Sequence, residues 1–243
     1  MRIQFLGCGD AFGSGGRFNA CVSLAGREGR CLLDCGASSL IALKRFGVDP
    51  QTIETILITH LHADHFGGLP FFILDAQFSK RKTPLTIAGP AGLRDLLPRA
   101  MELFFPGSAQ TIQKFELAVV EWESRKRTVI NHLMVTPYEV YHDGTAPFFA
   151  LRVEMDGRVV TYSGDTEWCA ALADAARAAD LFICETYFYE KPVKSHLDLK
   201  TLEAHLPEVR PKRLILTHLS PDMLVRADAV NHEVAEDGKV IEL

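Results

Sequence analysis

Apolar residues along the chain follow two periods that alternate from one end to the other. Short apolar runs rich in Val, Ile and Leu predict buried strands, and apolar positions three or four residues apart predict helices. In the first part, the predicted strands are 2–7, 20–24, 30–36, 53–60 and 84–89, and the predicted helices are 38–47, 67–80 and 91–105.

The second part of the chain repeats this mixture. Its predicted strands are 132–142, 148–166 with a Met-Asp-Gly-Arg hairpin turn, 181–186 and 213–220, and its predicted helices are 167–180 and 198–209. No Pro/Gly/Ser-rich linker divides the chain, so we expect one domain over residues 1–243, built from two β-rich halves of about 1–130 and 131–243. The pattern predicts an α/β (α+β) protein with packed sheets covered by helices on their outer faces.

Composition bears on the solubility and the cellular location expected of this protein. The 243 residues are 47% hydrophobic and 23% charged, which is ordinary for a soluble globular chain. The longest apolar runs fall far short of the ~20 residues that a membrane span needs, and the N-terminus lacks a secretory pattern. We therefore expect no membrane partner, a cytoplasmic location and six reduced, buried cysteines.

The charge pattern bears on nucleic-acid partners. A formal net charge of -5 is not that of a nucleic-acid coat protein, so no stable DNA partner is expected. Two short basic clusters, "SKRK" at 79–82 and "SRKR" at 124–127, are expected to be solvated turns.

One short stretch carries most of the chemical information. Residues 58–67 read "ITHLHADHFG", so His60, His62, Asp64 and His65 follow a predicted buried strand directly. Imidazole and carboxylate groups at this density are typical metal ligands, whereas a solvated loop has no reason to collect them. The stretch predicts a metal site.

Three further ligand-type residues close predicted strands. His142 ends "MVTPYEVYH", Asp165 follows "RVVTYSGD" and His218 ends "RLILTH". Strand ends hold side chains rigidly around a crevice, and seven nitrogen and oxygen ligands suit two divalent ions that share a carboxylate. One ion would take His60, His62 and His142, the other would take Asp64, His65 and His218, and Asp165 would bridge them.

This pattern resembles the metallo-β-lactamase fold superfamily. The resemblance rests on His-x-His-x-Asp-His at 60–65, then His142, "SGDT" at 163–166 and His218. It implies a four-layer αββα sandwich with the dinuclear site at one edge of the sheets and a metal-bridging hydroxide. Class B lactamases, with Cys in place of Asp165, and flavodiiron proteins, with Glu in place of His62, are less similar.

Within the superfamily, the chain is most similar to ribonuclease Z and its phosphodiesterase relatives. The matching stretches are residues 5–24, residues 84–93 and "ETYFYEKPVKSHLDLKTL" at 185–202. The chain departs from ribonuclease Z at 110–128, where no Gly or Pro occurs and no room exists for the arm that clamps transfer RNA. The resemblance implies phosphodiester hydrolysis and leaves transfer RNA open as a substrate.

The resemblance also implies roles for residues around the metals. Glu185 would hold His196 in its protonated form, so that His196 stabilises the transition state or protonates the leaving oxygen, while Asp64 orients the hydroxide or accepts its proton. Asp34, at a strand end, is expected to hydrogen-bond a ligand histidine. The remaining histidines, expected to be structural or solvent-facing, are His132, His205 and His232.

Three functions compete for these residues. The leading interpretation is a dinuclear metal-dependent phosphodiesterase acting on RNA ends, cyclic nucleotides or other small phosphodiesters. The alternatives are a thioester or carboxyl-ester hydrolase of glyoxalase II type and a non-enzymatic binding module, and the pair Glu185 and His196 favours the first. Zinc is the default metal, manganese or iron fits nearly as well, and a homodimer is expected only by analogy with the relatives.

Overall fold

A computed structural model describes residues 1–143 and 147–243. Within these residues the chain forms two mixed sheets of seven strands each. The first sheet has the order β14-β1-β2-β3-β4-β5-β6, and β3 to β6 run parallel. Its strands are β1 Arg2–Gly7, β2 Cys21–Ala25, β3 Arg30–Leu33, β4 Ile53–Leu57, β5 Leu85–Gly89, β6 Leu117–Glu121 and β14 Val240–Glu242.

The second sheet has the order β13-β12-β11-β10-β9-β8-β7, and β10 to β13 run parallel. Its strands are β7 Thr128–Ile130, β8 Leu133–Val140, β9 Phe148–Met155, β10 Arg158–Tyr162, β11 Leu181–Glu185, β12 Leu214–Thr217 and β13 Glu233–Val234. The predicted hairpin turn joins β9 to β10, where Asp156 and Gly157 have φ of 52° and 73°. Both values lie in the left-handed region that such a two-residue turn requires.

The helices lie on the outer faces of the sheets. They are α1 Ser39–Arg45, α2 Ala63–Phe66, α3 Leu69–Phe78, α4 Leu93–Phe104, α5 Ala170–Ala176, α6 Leu199–Val209 and α7 Pro221–Leu224. Short 3-10 turns occupy Ser14–Gly16, Pro50–Thr52 and Ser108–Gln110. Among the described residues, no helix has the length and apolar content that crossing a membrane requires.

Successive side chains of each strand point to opposite faces of its sheet, and the buried apolar ones form three clusters. In β3, Leu33 packs between the sheets with Val135 and Ile183, whereas Leu32 faces outward with Leu43 of α1 and belongs to a second cluster. A third cluster joins the outer face of the second sheet to α5 and α6. Burying one such Leu or Ile contributes about 1.5–3 kcal/mol. One cluster lies between the two sheets, and each of the other two lies between a sheet and its helices. These interfaces define a four-layer αββα sandwich, so the predicted fold is confirmed.

Two regions differ from the sequence-based expectations. Arg81 of the "SKRK" cluster is only 1% exposed and not solvated, because its guanidinium donates hydrogen bonds to backbone carbonyls of Pro50, Thr83 and Pro84 and of Ile53. Within 110–128, for which no element was predicted, the chain forms the edge strand β6. The six cysteines are buried free thiols, as expected.

Candidate metal centre

The site lies where the carboxyl ends of strands from both sheets meet. His60, His62, Asp64 and His65 follow β4, with the last two inside α2. The other three predicted ligands follow strands of the second sheet: His142 comes after β8, Asp165 after β10 and His218 directly after β12. Parallel strands place their carboxyl ends at one sheet edge, which is why residues distant in sequence converge here.

The seven side chains form two adjoining groups. Ligand atoms of one group all lie within 4.8 Å of one another, and the same holds for the other group. The first group is His60, His62 and His142, and the second is Asp64, His65, Asp165 and His218. The sequence predicted the same division for all of these residues except Asp165, which it placed as a bridge between the two ions. The assignment of these residues as ligands stays a prediction.

Asp165 lies between the two groups. Its Oδ2 is 3.2 Å from Nε2 of His218 and 3.9 Å from Nε2 of both His60 and His142. Its Oδ1 is 3.2 Å from Nε2 of His65. One carboxylate therefore faces imidazoles of both groups, which is the position required of a bridging ligand.

A glycine next to Asp165 permits this approach. Gly164 has φ of 58°, and a Cβ atom there would lie 2.9 Å from Cβ of Thr59 and 3.0 Å from the carbonyl oxygen of Phe149. Any side chain would clash with this backbone, so glycine in "SGDT" lets the turn press against the end of β4.

Hydrogen bonds behind the imidazoles fix how they are turned. His65 Nδ1 lies 2.6 Å from Oδ2 of Asp34, and His142 Nδ1 lies 2.5 Å from the carbonyl oxygen of Ser195. His60 Nδ1 lies 3.0 Å from Oγ1 of its neighbour Thr59. With Nδ1 engaged in each ring, Nε2 is left for a metal, the arrangement usual for ligating histidines.

Buried polar atoms without a hydrogen-bond partner indicate whether these residues could hold a metal ion. In the described part of the chain, the nitrogens His60 Nε2 and His65 Nε2 and the oxygen Asp165 Oδ1 are buried without a hydrogen-bond partner. Leaving a buried polar atom unsatisfied costs about 1–3 kcal/mol. Three such atoms converging on one place fit divalent cations.

The electrostatics favour the ligand forms of most of these groups. Burial lowers the pKa of His60, His142 and His218, so their rings are neutral. Burial alone would raise the pKa of Asp165, but its interactions with His218 and His65 hold that pKa well below its usual range. A neutral imidazole and an ionised carboxylate are the forms that bind metal.

His65 is the exception among the imidazoles. Burial lowers its pKa, but the charges of Asp165 and Asp34 outweigh burial and hold the pKa of His65 well above its usual value. A proton on His65 thus occupies the place that a cation would take. Metal binding at this group should release that proton.

A second pair lies beside the metal-type groups. Glu185 ends β11 fully buried, and its Oε2 lies 2.9 Å from Nδ1 of His196 while its Oε1 accepts a hydrogen bond from the Thr166 N–H. The ring of His196 stacks on Tyr187 with centroids 4.6 Å apart. The structure therefore brings the two predicted partners together.

Glu185 and His196 shift each other's pKa. Burial lowers the pKa of His196, but the hydrogen bond and charge of Glu185 outweigh this and raise it to about 9. Burial raises the pKa of Glu185 to about 7, although its hydrogen bond with His196 works against the rise. Both Glu185 oxygens accept hydrogen bonds, which favours the ionised carboxylate beside a protonated His196.

A cleft of about 260 Å³ opens onto this centre. Besides predicted site residues it is lined by residues that sequence reasoning had not assigned, namely Ala11, Phe12, Asp143, Tyr187, Lys194 and Ser195. All of these except Asp143 lie in the two stretches that carried the resemblance to ribonuclease Z, 5–24 and 185–202, and that was the available signal.

The other histidines lie apart from the cleft. His205 stacks on Trp168 with centroids 4.6 Å apart, and His232 Nε2 lies 3.0 Å from Oε1 of Glu203. His132 has Nδ1 4.0 Å from Oε2 of Glu54. These contacts are surface and packing contacts, as expected from the sequence.

Comparison with known proteins supports the same chemistry. A protein named Ribonuclease Z from Methanosarcina acetivorans is 28% identical over 268 residues, covering 90% of this chain and 88% of that protein. The crystal structure of the short form of human tRNase Z is similar with a TM-score of 0.80 and 28% identity, over 100% of this chain and 99% of that one. A diphosphatase of the PhnP family shares the fold at 19% identity and a TM-score of 0.76, covering 100% and 97% of the two chains.

These likenesses and the clustered His and Asp side chains show a metal-dependent hydrolase, a phosphodiesterase of the ribonuclease Z-like branch that binds divalent metal. The suspected superfamily is thereby confirmed. The family model described as "Anti-Pycsar protein Apyc1" matches residues 1–240, nearly the whole chain. The chain therefore belongs to the Anti-Pycsar protein Apyc1 family.

Proposed function

We propose that this protein uses two divalent ions to hydrolyse small or cyclic phosphodiesters or the ends of RNA. The observation that supports this most directly is Asp165, whose carboxylate faces imidazoles of both groups in a cleft that His196 also lines. Residues 1–243 would work as one domain, with each β-rich half contributing ligands.

The seven predicted ligands would hold the metal ions that make the nucleophile available. Two divalent cations held by the seven ligands would lower the pKa of water and provide hydroxide at neutral pH. Zinc is the expected metal for this set of nitrogen and oxygen ligands, and manganese or iron would also fit.

The residues of the chain position and protonate the reactants. Asp64 is 8% exposed and lines the cleft. Burial alone would raise its pKa, but the neighbouring His65 ring, with Nε2 3.2 Å from Oδ2 of Asp64, keeps that pKa below its usual value. An ionised Asp64 at the cleft wall can orient the attacking water and accept its proton. His196, protonated through Glu185, then gives a proton to the leaving oxygen.

The substrate proposed is smaller than transfer RNA. In the region where ribonuclease Z carries its arm, this chain forms the turn Ser108–Gln110 and the strand β6. β6 pairs with β5 at the sheet edge over residues 117–121. A strand that is hydrogen-bonded to its neighbour in the sheet does not project from the protein surface to contact a large RNA.

Hydrolysis rates test the proposal directly. With zinc or manganese added, the purified protein should cleave cyclic nucleotides and bis(p-nitrophenyl) phosphate, and cleave precursor transfer RNA or a thioester far more slowly. Replacement of His196 by Ala should lower turnover of the cyclic nucleotides by ~10²–10⁴. The loss should be smaller for bis(p-nitrophenyl) phosphate, because p-nitrophenolate leaves without a proton.

The controls separate the alternatives. His232→Ala removes a histidine far from the cleft and should retain wild-type rates. Preferred turnover of the thioester would instead support the glyoxalase II type of reaction. Equal losses of turnover on both diesters would show that His196 does not act as the acid. That result would not contradict the hydrolase activity.

We also propose a homodimer. Phe71 of α3 and Phe104 of α4 are 40% and 47% exposed with ring centroids 5.9 Å apart, and Leu103 beside them is 76% exposed. Adjacent exposed apolar side chains on two helices suit a protein partner. Leu103→Glu should halve the mass measured by sedimentation, and a wild-type monomer would contradict the proposal.

A further inference from the structure

Phe12 is an exposed aromatic residue at the cleft. Its side chain is 82% exposed, yet Phe12 lines the same cleft as the metal-type residues Asp64 and His218. Phe78 is similarly exposed, at 78%, but lies at the end of α3 and is not a cleft residue. Because its exposed ring lines the cleft, Phe12 is available to contact a bound substrate.

The turn that carries Phe12 is fixed by a buried carboxylate. Asp10 is fully buried, and its Oδ1 accepts hydrogen bonds from the N–H groups of Phe12 at 3.2 Å and Ser14 at 2.8 Å. Its Oδ2 accepts a third from Oγ of Ser14 at 2.7 Å. Charge-assisted bonds of this kind hold the backbone of the turn in one conformation.

The same turn is attached to the metal-type residues. The N–H of His218 donates to the carbonyl oxygen of Cys8 at 3.1 Å, two residues before Asp10. On the other side, Gly15 has φ of 70° and stands so close to α7 that an added Cβ would lie 3.0 Å from Cδ1 of Leu224. The backbone that carries Phe12 is thus anchored to the segment that carries His218.

We propose that Phe12 is the platform on which the nucleobase of a nucleotide substrate stacks. The inference rests on the proposed function and specifies its substrate class. The cleft is lined by the ionisable side chains of Asp64, Asp165 and His196, which suit a phosphodiester, whereas Phe12 offers an exposed apolar aromatic face in the same cleft. Bases stack on such faces with little dependence on their identity, because every base has a π-face. Phe12 is then a positioning residue that selects nucleotides over phosphodiesters without a base.

The test compares substrates that differ in the base alone. The kcat and KM would be measured for the four nucleoside 3′,5′-cyclic monophosphates and for methyl riboside 3′,5′-cyclic phosphate, which has the same ring phosphate without a base. Phe12→Ala should lower the ratio of kcat/KM between nucleotides and the base-free diester about tenfold, mainly through KM. Phe12→Trp should restore the ratio, and the remote control Phe78→Ala should match the wild type.

A second readout does not depend on turnover. Dissociation constants of nucleoside 5′-monophosphates and of ribose 5-phosphate would be measured for the wild type and Phe12→Ala. Loss of the difference between the two ligands in Phe12→Ala supports the platform. If the wild type cleaved neither diester but still bound nucleotides through Phe12, the phosphodiesterase proposal would fail and the platform would remain.

Other outcomes overturn the platform. Equal losses of kcat/KM on the nucleotides and the base-free diester would mean that Phe12 only shapes the centre. Unchanged kinetics would mean that the base lies elsewhere. A Phe12→Ala protein that became monomeric by sedimentation would assign Phe12 to contact with a second copy instead.

Discussion

Asp34 shows how a single buried carboxylate supports the metal centre. It follows β3, is fully buried, and has φ of 58° in the left-handed region. Its oxygens accept from the N–H of Thr59 at 2.8 Å and from Oγ1 of Thr59 at 2.9 Å, and Oδ2 lies 2.6 Å from Nδ1 of His65. One residue therefore orients both the end of β4 and a predicted ligand.

The substitution Asp34→Asn tests this residue. Asn tolerates the left-handed backbone and keeps one acceptor, but it removes the negative charge that raises the pKa of His65 and its basicity toward metal. The affinity for zinc, measured by competition with a chromogenic chelator, should fall ~10–100-fold. Asp174→Asn, at an exposed aspartate, is the control. Equal affinities would leave Asp34 with a packing role only.

At the residue scale, the sequence singled out most of the side chains that converge at the proposed centre, because the chemistry of each side chain is local. The pattern at 60–65 and the strand-end positions of His142, Asp165 and His218 were sufficient to propose ligands. Phe12 carried no such chemistry, and Tyr187 and Lys194 belonged to a loop whose course the sequence does not specify. Their presence at the cleft depends on contacts between distant segments.

At the scale of elements, Arg81 connects the start of β4 to the start of β5. Its Nε donates to the carbonyl oxygen of Thr83 at 2.7 Å, and its terminal nitrogens donate to those of Pro50 at 3.0 Å and Pro84 at 3.1 Å. The ring of Phe115 lies 5.7 Å below the guanidinium. The expectation of a solvated basic turn was wrong for this residue, because carbonyls at the strand ends replace its water.

Replacing Arg81 by Met tests the importance of this contact. Met fills much of the same volume but removes the guanidinium donor from the buried carbonyl of Ile53 and from the half-buried contacts with Thr83 and Pro84. A buried carbonyl left without a donor costs about 1–3 kcal/mol. The free energy of unfolding measured in urea should fall by about 3 kcal/mol. Lys82→Met changes the exposed neighbour and should alter it by less than about 0.5 kcal/mol. Equal stability of the two variants would show that water satisfies these carbonyls.

At the scale of the whole molecule, the metal centre joins the two sheets. The first sheet contributes the predicted ligands at 60–65, and the second contributes the predicted ligands Asp165, His142 and His218. A ligand that binds only the folded chain adds about 2.7 kcal/mol of stability at a free concentration of 100 times its dissociation constant. Metal should therefore stabilise the contact between the two halves.

Metal removal tests that link. Treatment with a chelator should lower the midpoint of thermal unfolding by roughly 5–10 °C, and added zinc or manganese should restore it. Asp165→Ala protein, lacking the proposed bridge, should show a much smaller response to either treatment. A wild-type midpoint insensitive to chelator, together with no bound metal by elemental analysis, would contradict the dinuclear proposal.

The sequence by itself determined the alternation of strands and helices, the αββα class and the ligand types, since periodicity and side-chain chemistry are properties of short segments. Only the tertiary structure decided which segments meet. It brought Glu185 to His196, Asp34 to His65 and the turn of Phe12 to the cleft, and it buried Arg81. These contacts follow from the packing of the two sheets, which depends on interactions between residues far apart in the chain.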